Sequence, residues 1–92
     1  MNLLASEFET STAWKLSDQV SLRDEAFGAL AYHHRTRRLV FLKSLELVTL
    51  VRRLEDFESA DAAIASIAPP DQHERYARAL TSLRRSEILS GR

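Results

Sequence analysis

Cysteine is absent from this 92-residue chain, and glycine and proline occur only twice each. The lack of cysteine excludes disulfides and thiolate metal sites. The scarcity of glycine and proline argues against a linker or a low-complexity segment, and no glycine-rich loop is present to cradle a phosphate.

Net charge and long apolar runs are missing as well. Thirteen basic and thirteen acidic residues cancel, so the overall charge favours neither nucleic acid nor an anionic membrane as a partner. No apolar run approaches the roughly 20 residues that span a bilayer, and the first ten residues lack a signal-peptide core. We therefore expect a cytoplasmic protein.

The length predicts one domain with one modest core. A chain of this size buries roughly 60–65% of its unfolded surface, which leaves little room for a deep, enclosed active site. We assign residues 14–92 to this domain and residues 1–13, with scattered apolar and Ser/Thr residues, to a flexible N-terminal arm.

Three strands are predicted in the first half of the chain. Residues 14–22 alternate between apolar and polar side chains, the period of a strand with one buried face. Two further apolar runs, at 27–34 and 38–43, are separated by a short polar segment and predict an antiparallel hairpin. That segment begins with Arg35 and Thr36, without the glycine or asparagine typical of a tight turn.

Three helices are predicted to follow. Ser44 is a suitable N-cap for a helix over about 45–55, and Ser59 for a short helix that ends near Ala68, before two prolines. Asp71 and Glu74 have the spacing of a capping box and predict the start of a third helix, which should fade near Ile88.

The predicted fold is therefore α+β, a three-stranded antiparallel sheet followed by three helices in the order βββααα. A sheet with so few strands leaves at least one open edge. The second and third strands carry apolar residues at both parities, whereas a sheet covered on one face alternates more cleanly. Either the helices and the arm cover both faces, or a partner or second copy covers one of them.

Catalytic and metal sites find no support in the sequence. His33 and His34 are adjacent, so in a strand they point to opposite faces and cannot share one metal ion, and His73 begins a distant helix. Nothing resembles a nucleophile elbow. We expect a protein that is not an enzyme and has no cofactor.

Charged residues form three clusters. Acidic residues crowd the junction of the first two helices and fit either a solvated turn or a docking patch for a basic partner: Glu55, Asp56, Glu58 and Asp61. Basic residues lie on the hairpin and on the third helix: Arg35, Arg37, Arg38, Lys43, Arg75, Arg78, Arg84 and Arg85. A basic helix also fits a winged-helix DNA-binding regulator, although here the hairpin precedes every helix rather than following the recognition helix.

Two motifs carry a family resemblance over about residues 14–89. The run RDEAFGALAYH at 23–33 and the run RRLVFLKS at 37–44 closely resemble the peptide-binding chaperones of mycofactocin biosynthesis. These belong to the wider group of PqqD-like recognition elements for ribosomally made, modified peptides.

The resemblance implies a winged-helix-like βββααα domain without catalysis, which holds a precursor peptide and delivers it to a radical SAM maturase. The leader of the peptide would add as a strand beside the third predicted strand and lie against the third helix. The implied peptide-binding residues in this sequence are Leu39, Val40, Phe41, Leu42, Lys43, Arg75, Arg78, Ala79 and Ser82.

The sequence is therefore compatible with three functions of different classes. The first is a non-enzymatic peptide chaperone, in which the acidic residues Glu55, Asp56, Glu58 and Asp61 would help to dock the maturase. The second is a small DNA-binding regulator. The third is a homodimerisation module that uses the apolar second face of the sheet around Leu30 and Tyr32.

Overall fold

The computed structural model describes residues 9–92. Five strands, three α-helices and two short 3₁₀ turns follow one another in this range: β1 Trp14–Leu16, β2 Val20–Glu25, β3 Gly28–His33, β4 Leu39–Leu42, α1 Leu45–Arg53, the turn Leu54–Asp56, α2 Ala60–Ile67, the turn Pro70–Gln72, α3 His73–Arg85 and β5 Leu89–Gly91. Strands β2, β3 and β4 form an antiparallel sheet in that spatial order, and β1 pairs with β5 in a second, small sheet. The predicted α+β class, with a three-stranded antiparallel sheet and three helices, is confirmed; the winged-helix-like arrangement stays a prediction.

The first predicted strand, residues 14–22, is wrong as one continuous element. A tight turn interrupts it after Leu16, where the backbone N–H of Val20 donates to the Ser17 carbonyl at 3.0 Å and that of Gln19 to the Ser17 hydroxyl at 3.1 Å. The alternation misled because the turn is polar and an odd number of residues long. The apolar residues before and after the turn therefore continue the same two-residue alternation, as if the strand were unbroken.

The C-terminal segment also differs from the prediction. Helix α3 ends at Arg85, and the chain then turns through Glu87, whose φ of 62° is left-handed. Residues 89–91 form β5 instead of a fraying helix, with Leu89 opposite Leu16 of β1. Ile88 and Leu89 are 0% and 1% exposed, so burial of two adjacent apolar side chains outweighs continuation of the helix.

Two of the three predicted helix caps are confirmed. The Ser44 hydroxyl accepts a hydrogen bond from Leu47 N–H at 3.0 Å, and that of Ser59 accepts one from Ala62 N–H at 3.1 Å. The capping box at Asp71 is wrong: Asp71 lies in the 3₁₀ turn, and α3 starts at His73 after Gln72, whose side chain makes no cap hydrogen bond.

The helices pack on one face of the sheet only. Ala29, Ala31 and Leu42 are 0% exposed and meet the apolar faces of the helices, which bury Leu50, Val51, Leu54 and Leu80. On the opposite face Leu30 and Tyr32 are half-buried, and their neighbours Leu39 and Phe41 are each 56% exposed. Among residues 9–92 no helix covers this face, so the helices alone do not bury both faces of the sheet. Of the predicted arm, residues 1–8 lie outside the described residues.

His33 organises the turn that joins β3 to β4. Its side chain is 1% exposed, and its Nδ1 accepts hydrogen bonds from the backbone N–H groups of Arg35 and Thr36, both at 3.2 Å. The left-handed residue of the turn is Arg37, with a φ of 66°, rather than a glycine or an asparagine. The imidazole therefore satisfies backbone donors that a standard tight turn leaves to other partners.

Replacement of His33 by leucine should destabilise the domain by about 1–3 kcal/mol, because two backbone N–H groups at the turn lose their acceptor. The matched control is His34→Ala. The side chain of the neighbouring His34 is exposed, where it bonds to the Ser21 hydroxyl and contacts the Tyr32 ring, so a change within about 0.5 kcal/mol is expected. Urea denaturation measures both; equal stability of the two variants would refute the role of His33 in the turn.

Candidate functional site

Strand β4 is an edge strand whose open side carries alternate backbone groups. Within residues 9–92 it pairs with β3 only, and His33 N–H donates to the Arg38 carbonyl at 2.9 Å. In the same register Val40 faces Ala31 and Leu42 faces Ala29. Since hydrogen-bonded pairs alternate along an antiparallel ladder, Val40 and Leu42 bond to β3. The amides of Leu39, Phe41 and Lys43 point outward.

The side chains of this strand divide between the two faces of the sheet. Leu42 is completely buried and Val40 is half-buried on the helix side, whereas Leu39, Phe41 and Lys43 are exposed on the other side. The predicted peptide-binding strand is thus at an open edge. Leu42 has its side chain in the core, so only its backbone lies near that edge.

Helix α3 is tied at both ends to segments that flank β4. The Tyr76 hydroxyl donates to Glu46, in the first turn of α1, at 2.7 Å. After the helix, Glu87 accepts from Arg35, in the turn before β4, at 2.9 Å. These two contacts connect the start of α3 to the segment after β4, and the residues after α3 to the turn before β4.

The contact between Arg35 and Glu87 joins two exposed side chains. A hydrogen bond from Arg35, together with its positive charge, holds the pKa of the Glu87 carboxyl below its ordinary value. Because this pKa is lower in the folded state, the contact stabilises the fold above the usual glutamate range. That contribution is lost as the pH falls through the lowered pKa.

The predicted residues on α3 lie together on one side of the helix. Arg75, Arg78 and Ser82 are exposed on one side of the helix, and Ala79 is half-buried beside them. Arg78 pairs with Glu74 at 2.7 Å, as the i, i+4 spacing predicts, and Arg75 donates to the Gln72 side chain at 3.1 Å. The contacts that tie α3 to the segments around β4 come from Tyr76 and Glu87 instead.

The four predicted docking residues are all exposed and lie within seven positions of one another, and they are here called the acidic patch: Glu55, Asp56, Glu58 and Asp61. Two arginines lie beside it. Arg53 approaches Asp56 at 3.8 Å, and Arg92 donates to the Phe57 carbonyl at 2.7 Å. The described part of the N-terminal arm binds here too, because Asp61 N–H donates to the Thr10 carbonyl at 2.7 Å.

Sequence reasoning missed one feature near the edge. Phe27, predicted as a strand residue, lies in the turn between β2 and β3. Its ring packs edge-on against the ring of Phe41, with the two ring centroids 6.1 Å apart. Its position directly before Gly28 was the available signal. A Cβ at Gly28 would clash with the Leu42 carbonyl oxygen, so only glycine fits at the first residue of β3, directly after Phe27.

The described residues provide neither a metal-binding cluster nor a membrane-spanning helix. His33 and His34 lie on opposite faces, and residues 9–92 contain no group of three or more histidine, aspartate or glutamate side chains placed to bind a metal. No helix in this range is long and apolar enough to cross a membrane. The comparisons that follow give no support to a DNA-binding regulator.

Known proteins resemble the chain over nearly its whole length. A family model described as the peptide chaperone MftB family matches residues 13–90. Three similar proteins carry the name peptide chaperone MftB. The one from Mycolicibacterium smegmatis is 41% identical over 89% of this chain and 81% of its own length.

The second, from Mycobacterium ulcerans, is 38% identical over 92% of this chain and 79% of its own length. The third, from Mycobacterium tuberculosis, is 37% identical over the same shares. No solved structure matches the chain significantly. Because the family model matches residues 13–90 and the relatives are 37–41% identical, the chain belongs to the peptide chaperone MftB family, whose members are not enzymes.

Proposed function

We propose that this protein binds the leader of a ribosomally made precursor peptide by strand addition to β4, and delivers the peptide to a radical SAM maturase of mycofactocin biosynthesis. The relatives are named as peptide chaperones. The observation that carries the proposal is the open edge of β4, with the outward backbone groups of Leu39, Phe41 and Lys43.

Backbone pairing alone gives such a complex modest affinity and little selectivity. Each hydrogen bond contributes about 0.5–1.5 kcal/mol net, and three outward residues provide only a few. Selectivity must therefore come from side chains on the two faces of the added strand. On the helix side, the peptide would lie toward α3.

The arginines of α3 favour an acidic leader. Arg75 and Arg78 share one exposed side of the helix, and charge-assisted hydrogen bonds to a carboxylate are stronger than neutral ones. Arg78 already pairs with Glu74, so a peptide carboxylate would compete with that partner. Their joint contribution is accordingly moderate.

Delivery requires a second surface that stays free when the peptide is bound. The acidic patch lies at the junction of α1 and α2, away from β4 in sequence and outside the edge assigned to the peptide. We assign it to the maturase. The adjacent Arg53 and Arg92 offset part of its charge, so the patch should steer association more than hold the complex.

Proline substitution tests the strand pairing. Leu39→Pro and Phe41→Pro remove an outward N–H while the pairs that bond to β3 remain, and edge strands tolerate proline. Each variant is compared with alanine at the same position, so that loss of the side chain cancels. Calorimetric titration with the precursor peptide encoded beside this chain should show binding by the alanine variants and none by folded proline variants.

Val40→Pro is the complementary variant. Its N–H bonds to β3, so proline there should destabilise the domain rather than act on binding alone. Equal peptide affinity for Leu39→Pro and Leu39→Ala, and likewise for the Phe41 pair, would rule out strand addition at β4.

Charge reversal tests the contribution of α3. The double variant Arg75→Glu/Arg78→Glu should weaken binding of the same peptide by about 1–3 kcal/mol at low salt, allowing for partial exposure. The control is Arg52→Glu/Arg53→Glu, which makes the same charge change at the exposed end of α1. If both double variants bind alike, the α3 arginines serve only solubility.

Neutralisation of the acidic patch tests docking. The variant Glu55→Gln/Asp56→Asn/Glu58→Gln/Asp61→Asn should associate more slowly with immobilised maturase, with less salt dependence and unchanged peptide affinity. The control neutralises four carboxylates elsewhere: Asp18, Asp24, Glu25 and Asp71. Parent-like association by the patch variant would mean that these residues form only a solvated turn.

A further inference from the structure

The face of the sheet that turns away from the helices is apolar beside the open edge. Phe27 is 47% exposed and Phe41 is 56% exposed, although their rings contact each other. Together with Lys43 they line an open depression of about 390 Å³, here called the outer depression. Exposed aromatic rings in such a cluster mark a binding surface more often than single exposed apolar residues do.

The outer depression combines apolar walls with one positive charge. Lys43 takes part in none of the ion pairs formed among residues 9–92. Its ammonium group therefore has no ion-pair partner among these residues. A ligand that fits both features is apolar at one point and anionic at an adjacent point.

The register of β4 decides which part of an added strand reaches this surface. Residues directly opposite each other on neighbouring strands place their side chains on the same face, and successive residues alternate. A peptide residue opposite Phe41 would thus point into the outer depression. The residue opposite Lys43 would lie on the same face, two positions along the peptide, and the residue between them would point toward the helices.

We propose that the outer depression is a second recognition site for the bound peptide, on the face opposite the helices. It takes an aliphatic or aromatic side chain against Phe27 and Phe41 and, two residues along, a carboxylate at Lys43. This inference rests on the proposed strand addition and extends it. The leader would be read on both faces, with an apolar and an acidic residue separated by one position.

A second copy of the chain fits this surface less well. If two β4 edges paired antiparallel about Phe41, Lys43 of each copy would face Leu39 of the other, and no carboxylate would be provided. The exposed residues Arg37 and Arg38 precede β4, so two copies would bring several positive charges together along one edge. In this register the arginines do not face one another directly, but their like charges repel along the edge, which favours an acidic peptide as the occupant.

Phe27 offers a test that leaves β4 intact, because it lies in the turn between β2 and β3. Phe27→Ser should weaken binding of the precursor peptide encoded beside this chain about tenfold, in line with the loss of a half-exposed apolar contact. Phe27→Ala serves as a second variant, and thermal unfolding by circular dichroism confirms that both remain folded.

A double-mutant cycle identifies the contacts. Alanine substitutions along the peptide are titrated against the parent, Phe27→Ser and Lys43→Gln. We expect one apolar peptide position whose alanine effect largely disappears with Phe27→Ser. An acidic position two residues away should couple to Lys43→Gln in the same manner.

Failure of this inference is distinguishable from failure of strand addition. If Leu39→Pro abolishes binding but Phe27→Ser binds as the parent does, or all effects are additive, the outer depression is not a peptide site. If the parent binds no peptide, both proposals are wrong. If sedimentation shows a dimer that Phe27→Ser dissociates, without coupling to any peptide position, a second copy is the occupant and the inference is overturned.

Discussion

The register between β3 and β4 is the constraint on which the other features of this domain depend. The turn around His33 fixes it by pairing His33 with Arg38. A slip by one residue would exchange the two faces of β4 and would bring Phe41 into the core in place of Leu42, which is fully buried. The same register decides which amides stay free at the edge and which side chains face solvent.

Local signals in the sequence predicted the elements that local physics controls. Ser44 and Ser59 cap helices as expected because a hydroxyl needs only the N–H three residues on. The hairpin followed from two apolar runs around a polar turn. By contrast, the pairing of β5 with β1 joins the two ends of the domain. No local pattern distinguishes Leu89 in a strand from Leu89 in a fraying helix.

The candidate site was predictable in outline but not in detail. An open edge follows from the small number of strands, and Arg75 and Arg78 share a helix side by spacing alone. The attachment of α3 depends on contacts between residues 30 and 52 positions apart, Tyr76 with Glu46 and Arg35 with Glu87. Such contacts leave no trace in a single sequence. The exposure of Phe27 likewise follows from its place in the turn between β2 and β3, which the apolar run at 27–34 did not indicate.

Amide hydrogen exchange, followed residue by residue by NMR, tests strand addition most directly. Without peptide, Val40 and Leu42 should exchange slowly, because they bond to β3, and Leu39, Phe41 and Lys43 should exchange rapidly. Saturation with the precursor peptide should slow exchange at Leu39, Phe41 and Lys43 at least tenfold. Peptide binding with unchanged exchange at these three amides, or with new protection at Leu22 and Asp24 on the opposite edge of the sheet, would contradict the account.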